Sequence, residues 1–226
     1  MRYEIWGEQL PAVTMQLEVG ESVYTQRGGL SWMSDGINME TNMKGGLGKA
    51  LGRMFSGESL FMATYTARHA GAQITFASSM PGNIKVFEIG PGREYIAQKS
   101  AFLCAQPGVT LSAEFTRSFK GGLFGGEGFI LQRYTGSGLV FLELDGAIRE
   151  YTLAPGEVLK VDTGNVAAFE STVGYSAEMV KGFTNILFGG EGLFLTTLQG
   201  PGKVWLQTMS VSELAGRILP YMPSHD

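Results

Sequence analysis

The sequence LFGGEG occurs twice in this chain, at Leu123–Gly128 and again at Leu187–Gly192. A weaker copy, MFSGES, lies at Met54–Ser59. Taken alone, a glycine-rich turn of this kind resembles a phosphate-binding loop. However, the sequence lacks the Lys-Ser/Thr ending and the βα context of a P-loop, so nucleotide binding is not expected. We interpret the motif mainly as a mark of repeated architecture.

A shift of 64 residues aligns the middle third of the chain with the last third without gaps. The segment PGREYIAQKSAFLCAQPGVTLSAEF starts at Pro91, and PGEVLKVDTGNVAAFESTVGYSAEM starts at Pro155. The first third fits the same template less tightly, since LEVGESVYTQRGG from Leu17 resembles LAPGEVLKVDTGN from Leu153. We predict three tandem repeats, at residues 1–78, 79–144 and 145–209, followed by a C-terminal helix and tail at 210–226.

Each repeat has the pattern of short strands. Glycine accounts for 33 of the 226 residues without a collagen period, which is typical of many tight turns. The sequence GFILQRYTGSGLVFLEL, from Gly128, predicts a β-hairpin, and GLFLTTLQGPGKVWLQT, from Gly192, copies it. We expect roughly six to eight strands per repeat. The predicted fold is therefore all-β, with three β-sandwich or half-barrel repeats around a pseudo-threefold axis in a single compact unit.

One short helix is predicted near the C-terminus, in SVSELAGRILP at Ser210–Pro220. Ser210 and Glu213 fit a capping box, an apolar stripe follows, and Pro220 ends the segment.

Composition and charge limit the classes of function. The formal charge is −4, so no general attraction to nucleic acid or to acidic membranes is expected. Cys104 is the only cysteine, which excludes an internal disulfide, and its apolar setting SAFLCA predicts a buried, inert thiol. His69 and His225 are the only histidines, so a His-based zinc site or a Ser-His-Asp triad is not expected.

The chain has no apolar leader at its N-terminus and nowhere reaches 18 consecutive apolar residues. We therefore expect a cytoplasmic protein without a transmembrane segment, and we expect no cofactor and no resident metal.

The three glycine-glutamate turns are candidate ligand sites. Their backbone N–H groups could form an anion nest, or their glutamates could converge on the axis and hold a cation. Against this, the glycines could simply supply a turn whose glutamate accepts nearby backbone N–H bonds, and repetition in every unit favours that architectural role. The candidate ligand-binding residues are Glu58, Gly125, Gly126, Glu127, Gly189, Gly190 and Glu191.

A second acidic residue recurs at Glu40, Glu114 and Glu178. Two carboxylates per repeat suggest acid/base pairs or metal sites, but nothing in the sequence fixes the distance between them. Solvated strand residues are the favoured interpretation.

The first repeat carries an insertion, MKGGLGKALGRMF, that breaks the threefold symmetry. If helical, it would be short, basic and amphipathic, which is compatible with a membrane-surface or partner contact through Lys44, Lys49 and Arg53. A loop that caps one end of the fold is the favoured alternative. Trp6, Trp32 and Trp205 do not recur at one repeat position, so we predict core or interface packing for them.

The LFGGEG turn followed by a predicted hairpin, the PGE turn and the threefold duplication together resemble an uncharacterised bacterial family. Its eukaryotic relatives are called mitochondrial biogenesis (altered inheritance of mitochondria) proteins. The resemblance spans most of the chain, and LFGGEGLFL is its most specific part. Family members of known structure are similar to three fused copies of the fold of the tryptophan-responsive RNA-binding attenuation protein, so the resemblance implies a β-repeat fold. It implies no activity, and the repeats carry no periodic Lys/Arg pattern for RNA.

The leading functional hypothesis is a non-enzymatic assembly or interaction module that forms a homo-oligomer and can take a protein partner. The alternative is a small-ligand-binding protein with a pocket between repeats. A third hypothesis is a metal-dependent enzyme that uses the repeated glutamates.

Overall fold

The computed structural model of the chain describes residues 1–26, 28–43, 61–117, 129–179 and 194–222. Across these ranges the chain forms antiparallel β-sheets and a single short α-helix near its C-terminal end. The predicted all-β class with a C-terminal helix is confirmed. The placement of the repeats around a threefold axis stays a prediction, as does the division into repeats.

The described strands occur in the following order along the chain. The N-terminal strand is β1 (Arg2–Trp6). The next six are β2 (Ala12–Leu17), β3 (Ser22–Gln26), β4 (Trp32–Met33), β5 (Ile37–Met43), β6 (Phe61–Ala67) and β7 (Ala72–Ala77). They are followed by β8 (Gly82–Ile89), β9 (Tyr95–Gln98), β10 (Phe102–Ala105), β11 (Val109–Arg117), β12 (Phe129–Gly136) and β13 (Gly138–Asp145). The last six are β14 (Ile148–Leu153), β15 (Val158–Asp162), β16 (Val166–Glu170), β17 (Gly174–Met179), β18 (Phe194–Gln199) and β19 (Gly202–Gln207), and they are followed by α1 (Val211–Ile218).

After β1, the strands form three sets of six that share one pairing pattern. In each set the sixth strand pairs with the first and the third, and the fifth pairs with the second and the fourth. In the first set, for example, β7 pairs with β2 and β4, while β6 pairs with β3 and β5. Each set thus contributes two groups of three strands, and these groups belong to different sheets.

The chain divides into two compact units. Unit 1 comprises Met1–Pro91, Phe102–Thr110 and Gly136–Glu143. It contains a four-stranded sheet of order β1-β2-β7-β4 and a six-stranded sheet of order β5-β6-β3-β10-β13-β8. Unit 2 comprises Gly92–Ala101, Leu111–Thr135 and Leu144–Asp226. It contains a six-stranded sheet of order β11-β12-β9-β16-β19-β14, a three-stranded sheet of order β15-β18-β17, and α1.

The core of unit 1 follows from the period-two pattern of its strands. In β2 the sequence AVTMQL places Val13, Met15 and Leu17 on one face, and all three are fully buried. On β7, Phe76 lies opposite Val13 and Ile74 lies opposite Met15. These side chains form one apolar cluster, so the residues that alternate with them, such as Thr14, lie on the opposite face of the sheet.

The core of unit 2 is built in the same way across three neighbouring strands. Val204 of β19 lies opposite Phe169 of β16, which in turn lies opposite Ile96 of β9. All three are buried, and Leu131 and Leu198 belong to the same cluster.

Each six-stranded sheet joins strands from two consecutive sets. In unit 1, β10 pairs with β3, and in unit 2, β16 pairs with β9. Side chains reinforce both junctions, because Thr25 Oγ1 donates to the Leu103 carbonyl at 2.6 Å and Gln98 Nε2 donates to the Val166 carbonyl at 2.6 Å. These buried or half-buried donors satisfy carbonyl groups across the junction.

The xGE turns have the same construction in the first and third sets. Gly20 and Gly156 have φ angles of 81° and 79°, a region that glycine adopts readily. The side chain of the following glutamate then turns back to the backbone. Glu21 Oε2 accepts from the Glu18 N–H at 2.8 Å, and Glu157 Oε2 accepts from the Ala154 N–H at 2.8 Å.

The prediction that β12 with β13, and β18 with β19, form hairpins is wrong. The expected hairpin of β12 and β13 does not form, since β12 pairs with β9 and β11 while β13 pairs with β8 and β10. The copy formed by β18 and β19 likewise enters two different sheets. Gly136 and Gly138, at the junction of the two strands, have φ angles of 94° and 134°, a region that glycine adopts readily. Glycine-rich turns permit both outcomes, and pairing with other strands decides between them.

Helix α1 begins as predicted. The Ser210 hydroxyl accepts a hydrogen bond from the Glu213 N–H at 3.2 Å, which satisfies a backbone donor of the first turn. The Glu213 carboxylate accepts a hydrogen bond from Arg217 one turn later, at 3.1 Å.

The unit 1 core predicts a large cost for Phe76→Ala. Phe76 is fully buried and packs edge-on against Tyr65, so its truncation leaves a cavity. We expect a loss of about 3–5 kcal/mol in the free energy of unfolding, measured by urea denaturation. The control is Tyr221→Ala, because Tyr221 is 88% exposed and its loss is expected to cost less than about 0.5 kcal/mol. Equal effects of the two substitutions would contradict the assignment of the core.

Candidate functional site

The sequence-predicted ligand residues lie outside the described part of the chain. This applies to Glu58, Gly125, Gly126, Glu127, Gly189, Gly190 and Glu191, and also to Lys44, Lys49 and Arg53 of the insertion. Their roles therefore stay predictions.

In two of its three copies, Glu40 and Glu114, the second recurring glutamate makes a side-chain contact that the structure describes. Glu40 lies on β5 and accepts from Asn38 Nδ2 at 3.1 Å. Glu114 lies on β11 and pairs with Arg133 of β12. Glu178 lies on β17 opposite Leu195. The described residues contain no group of three or more His, Cys, Asp or Glu side chains that could hold a metal ion.

Glu114 belongs to a charged group in unit 2 that we name the Arg133 cluster, formed by Arg133, Glu114 and Glu94. Arg133 donates from Nε and Nη2 to the two oxygens of Glu114, both at 2.7 Å. Its Nη1 donates to Glu94 Oε2 at 3.1 Å. The two carboxylates thus engage all three nitrogens of the guanidinium, and the Arg133–Glu114 contact has the bidentate geometry of strong ion pairs.

The electrostatics of the Arg133 cluster favour the charged pair. The hydrogen bonds from Arg133 lower the pKa of Glu114, against the opposing effect of partial burial. The hydrogen bonds to Glu114 raise the pKa of Arg133 further above its ordinary value. Burial, together with the negative charge of Glu114, raises the pKa of Tyr175. A carboxylate held ionised by a bidentate partner is suited to holding strands together and not to proton transfer.

The sequence contained a weak signal for this cluster. Glu114 has a counterpart at Glu178 under the offset of 64, whereas the position that matches Arg133 is Thr197. An arginine that interrupts the repeat pattern within a strand indicates a local role, but its partner depends on the register between β11 and β12.

Cys104 and His69 lie in surroundings that are not typical of catalytic residues. Cys104 is fully buried, and burial raises the pKa of its thiol well above the ordinary value, which agrees with the predicted inert thiol. His69 lies exposed in the turn after β6, where its Nδ1 is 3.3 Å from the Ala70 carbonyl oxygen.

The three tryptophans divide between core and surface. Trp205 is buried in unit 2 and donates from Nε1 to Glu150 Oε2 at 2.6 Å. Trp6 and Trp32 are 42% and 54% exposed, and their ring centroids lie 6.1 Å apart. Trp205 has the predicted core environment. An interface role for the exposed pair, Trp6 and Trp32, stays a prediction.

The tryptophan pair, Trp6 and Trp32, lies on the face of the four-stranded sheet that points away from the core. Trp6 Nε1 donates to Thr14 Oγ1 at 2.9 Å, and Thr14 Oγ1 is 2.9 Å from Thr75 Oγ1. These hydroxyls, on the two central strands, hold one indole ring in place. The result is an ordered aromatic surface whose other side faces solvent.

One member of the tryptophan pair, Trp6, belongs to an edge strand whose residues are all exposed. β1 forms one edge of the four-stranded sheet, and all five of its residues are exposed. Tyr3 is 44% exposed and Ile5 is 38% exposed, while Leu10, just after the strand, is also exposed. We name β1 and the tryptophan pair together the edge-strand surface. Its apolar side chains and ordered backbone edge make it the strongest candidate site in the described part of the chain.

Comparison with known proteins gives a family and a fold. The family model described as AIM24, mitochondrial biogenesis, matches residues 3–209. An uncharacterized protein of Streptococcus pyogenes serotype M6 is 31% identical over 224 residues, which cover 96% of this chain and 88% of that protein. The crystal structure of a Streptococcus pyogenes protein, a structural genomics target, matches with a TM-score of 0.78 and 28% identity. That alignment covers 98% of this chain and 99% of the other.

These findings confirm the resemblance stated from the sequence. Among the described residues, no helix has the length and apolar character needed to span a membrane.

The Arg133 cluster predicts a pH-dependent contribution to stability that Glu114→Gln removes. We expect the variant to lose about 1–2 kcal/mol in the free energy of unfolding at neutral pH, since charge-assisted hydrogen bonds are lost. The folded-state pKa of Glu114 lies below its ordinary value of 4.5. The stabilisation is therefore present above about pH 4.5 and disappears as the pH falls through the lower folded-state pKa. Urea denaturation from neutral pH down to about pH 3 measures the difference between the two proteins.

The matched control is Glu213→Gln. Glu213 pairs with Arg217 on the exposed surface of α1, where an ion pair is expected to contribute less than about 0.5 kcal/mol. A difference between wild type and Glu114→Gln that does not shrink in acid would show that the charge of Glu114 is not the source of the stabilisation.

Proposed function

The chain belongs to the mitochondrial biogenesis AIM24 family, and we propose that it acts as a non-enzymatic assembly or interaction module that forms homo-oligomers. Family membership supports the fold and assigns no activity, since the curated relative is itself described as uncharacterized. The proposal therefore rests on the described surface and not on a transferred role.

The observation that carries the proposal is the edge-strand surface. Large apolar side chains in a soluble domain are usually scattered singly when they are exposed. Here Tyr3, Ile5 and Trp6 are all exposed on one edge strand. Tyr3 and Ile5 lie on the core side of the sheet, whereas Trp6 lies on the other side, where Trp32 adjoins it. An ordered aromatic cluster next to an open backbone edge combines the two features that protein partners use, namely desolvated aromatic contacts and strand addition.

The construction of the sheets supports the same function. β3 and β9 each pair with a strand of the following set, so these six-stranded sheets already form by edge-to-edge strand pairing between similar segments. A protein made by joining strand edges within one chain has the geometry to join further edges between chains.

The setting of the proposed function is the cytoplasm. The single cysteine is buried and forms no internal disulfide, which suits a reducing compartment, and the charge of −4 disfavours nucleic acid as the partner. The proposed partners are accordingly proteins, with copies of the same chain first among them.

Sedimentation velocity over a dilution series tests the proposal. We expect species of at least twice the monomer mass at concentrations near 100 μM, with dissociation on dilution if the interface is of standard size or smaller, on the order of 1,600 Å². Raising the ionic strength is expected to change the equilibrium only moderately, since aromatic contacts dominate the proposed surface.

The double variant Trp6→Ser/Trp32→Ser provides the discriminating arm, with Tyr221→Ser as the exposed aromatic control away from the edge-strand surface. The first is expected to shift the equilibrium toward monomer by roughly tenfold or more in Kd, and the second to leave it unchanged. A strictly monomeric wild type across the series would overturn the homo-oligomer proposal.

A further inference from the structure

We propose that the partner at the edge-strand surface is a second copy of this chain, paired antiparallel with the first through β1, with Arg2 of each copy opposite Glu4 of the other. This inference rests on the proposed function, because it names the partner and the register for the same surface. The following observations carry it.

The outer edge of β1 is a regular template for another strand. β1 pairs with β2 over five consecutive residues, from Arg2 opposite Gln16 to Trp6 opposite Ala12, without a bulge. The strand RYEIW contains no proline, glycine or lysine. Proteins usually protect exposed edges with proline, bulges or charged side chains, lysine above all. β1 has no proline, lysine or bulge, and its two charges, on Arg2 and Glu4, are opposite in sign. An added strand would therefore meet continuous backbone donors and acceptors.

The charges on β1 alternate with its apolar side chains. Arg2 and Glu4 lie on the same face of the sheet as Thr14, because register pairs Glu4 with Thr14 and successive residues alternate. Tyr3 and Ile5 lie on the opposite face. Neither Arg2 nor Glu4 forms an ion pair with another residue in the described ranges.

The segment Arg2-Tyr3-Glu4 is complementary to an antiparallel copy of itself. With Tyr3 on the twofold axis, Arg2 of each copy faces Glu4 of the other, which gives two cross-strand ion pairs. Sliding the strands by one residue each would place Glu4 opposite Glu4, and like charges directly opposite destabilise a pair. The charge pattern therefore favours one partner and one register, as an isologous contact requires.

The apolar face adds to the same contact. Tyr3 packs edge-on against Phe141, with centroids 5.0 Å apart and an interplanar angle of 87°, so its ring is already positioned. In the proposed register the two Tyr3 rings are neighbours across the axis. Half-exposed and pre-ordered rings lose little conformational freedom on pairing and can bury their remaining surface.

Charge reversal with complementation tests the register directly. Arg2→Glu and Glu4→Arg each convert both ion pairs into like-charge pairs, and each is expected to weaken dimerisation by roughly tenfold or more. An equimolar mixture of these two variants restores opposite charges in the heterodimer and is expected to recover wild-type association. The double variant Arg2→Glu/Glu4→Arg restores them within one chain and is expected to associate like wild type. Sedimentation velocity measures all four samples.

The controls separate the register from general charge effects. Gln73→Glu and Gln73→Arg change the charge on an exposed position of β7, on the same sheet face but two strands away from the open edge. Both are expected to leave the Kd within about twofold of wild type, since surface charges at this distance are screened. Far-UV circular dichroism and thermal unfolding check the fold, and the double variant remains informative if a single reversal destabilises the monomer.

The outcomes distinguish the two proposals. A wild type that remains monomeric overturns both. A wild type that self-associates while all reversals associate equally overturns pairing through β1 and leaves the assembly proposal standing. Weakening by both single reversals without recovery in the mixture overturns the register of Arg2 opposite Glu4. Recovery in both the mixture and the double variant supports it.

Discussion

The structure depends on backbone pairing between strands that come from different stretches of the chain. In each set, the group of the second, fourth and fifth strands has an open edge at its second strand. In the first two sets this open edge is paired, because β3 pairs with β10 and β9 pairs with β16 of the following set. Hydrogen bonds from Thr25 and Gln98 satisfy carbonyl groups across those junctions, so polar side chains and backbone act together. The apolar clusters can then form, because the paired strands present buried residues on matched faces.

The offset of 64 residues also relates two side chains that have the same role in the structure. Glu143 and Gln207 are 64 residues apart, and both accept a backbone N–H from the segment that leads into their own set. Glu143 Oε2 accepts from the Ser79 N–H at 2.7 Å, and Gln207 Oε1 accepts from the Asp145 N–H at 3.1 Å. Carboxylate and amide oxygens are equivalent acceptors for this purpose. Positions 64 residues apart can therefore have the same structural role even when their residue types differ.

Long-range register is the part that the sequence did not supply. The glycine turn between β12 and β13 has the local signature of a hairpin, yet the two strands enter different sheets. Local residues permit the turn, whereas the competition among distant edges decides which strands pair. The Arg133 cluster could not be predicted for the same reason, since Glu114 and Arg133 come into contact only when β11 and β12 pair in the observed register. In contrast, the cap of α1 depends on residues three positions apart, and Ser210 was identified from the sequence.

β1 differs from the other strands because it precedes the first set and has no counterpart among the described strands of the other two. Backbone pairing with β2 over five residues holds it on the sheet, and Tyr3 packs against Phe141 on the core-facing side. Its charged side does not protect the edge as a lysine or a proline would. Arg2 and Glu4 carry opposite charges two residues apart. When a second copy of β1 pairs with the first, some registers place like charges opposite each other, and one register places opposite charges together. An edge built in this way limits open-ended aggregation and still permits a closed pair, which is the property that an assembly module requires.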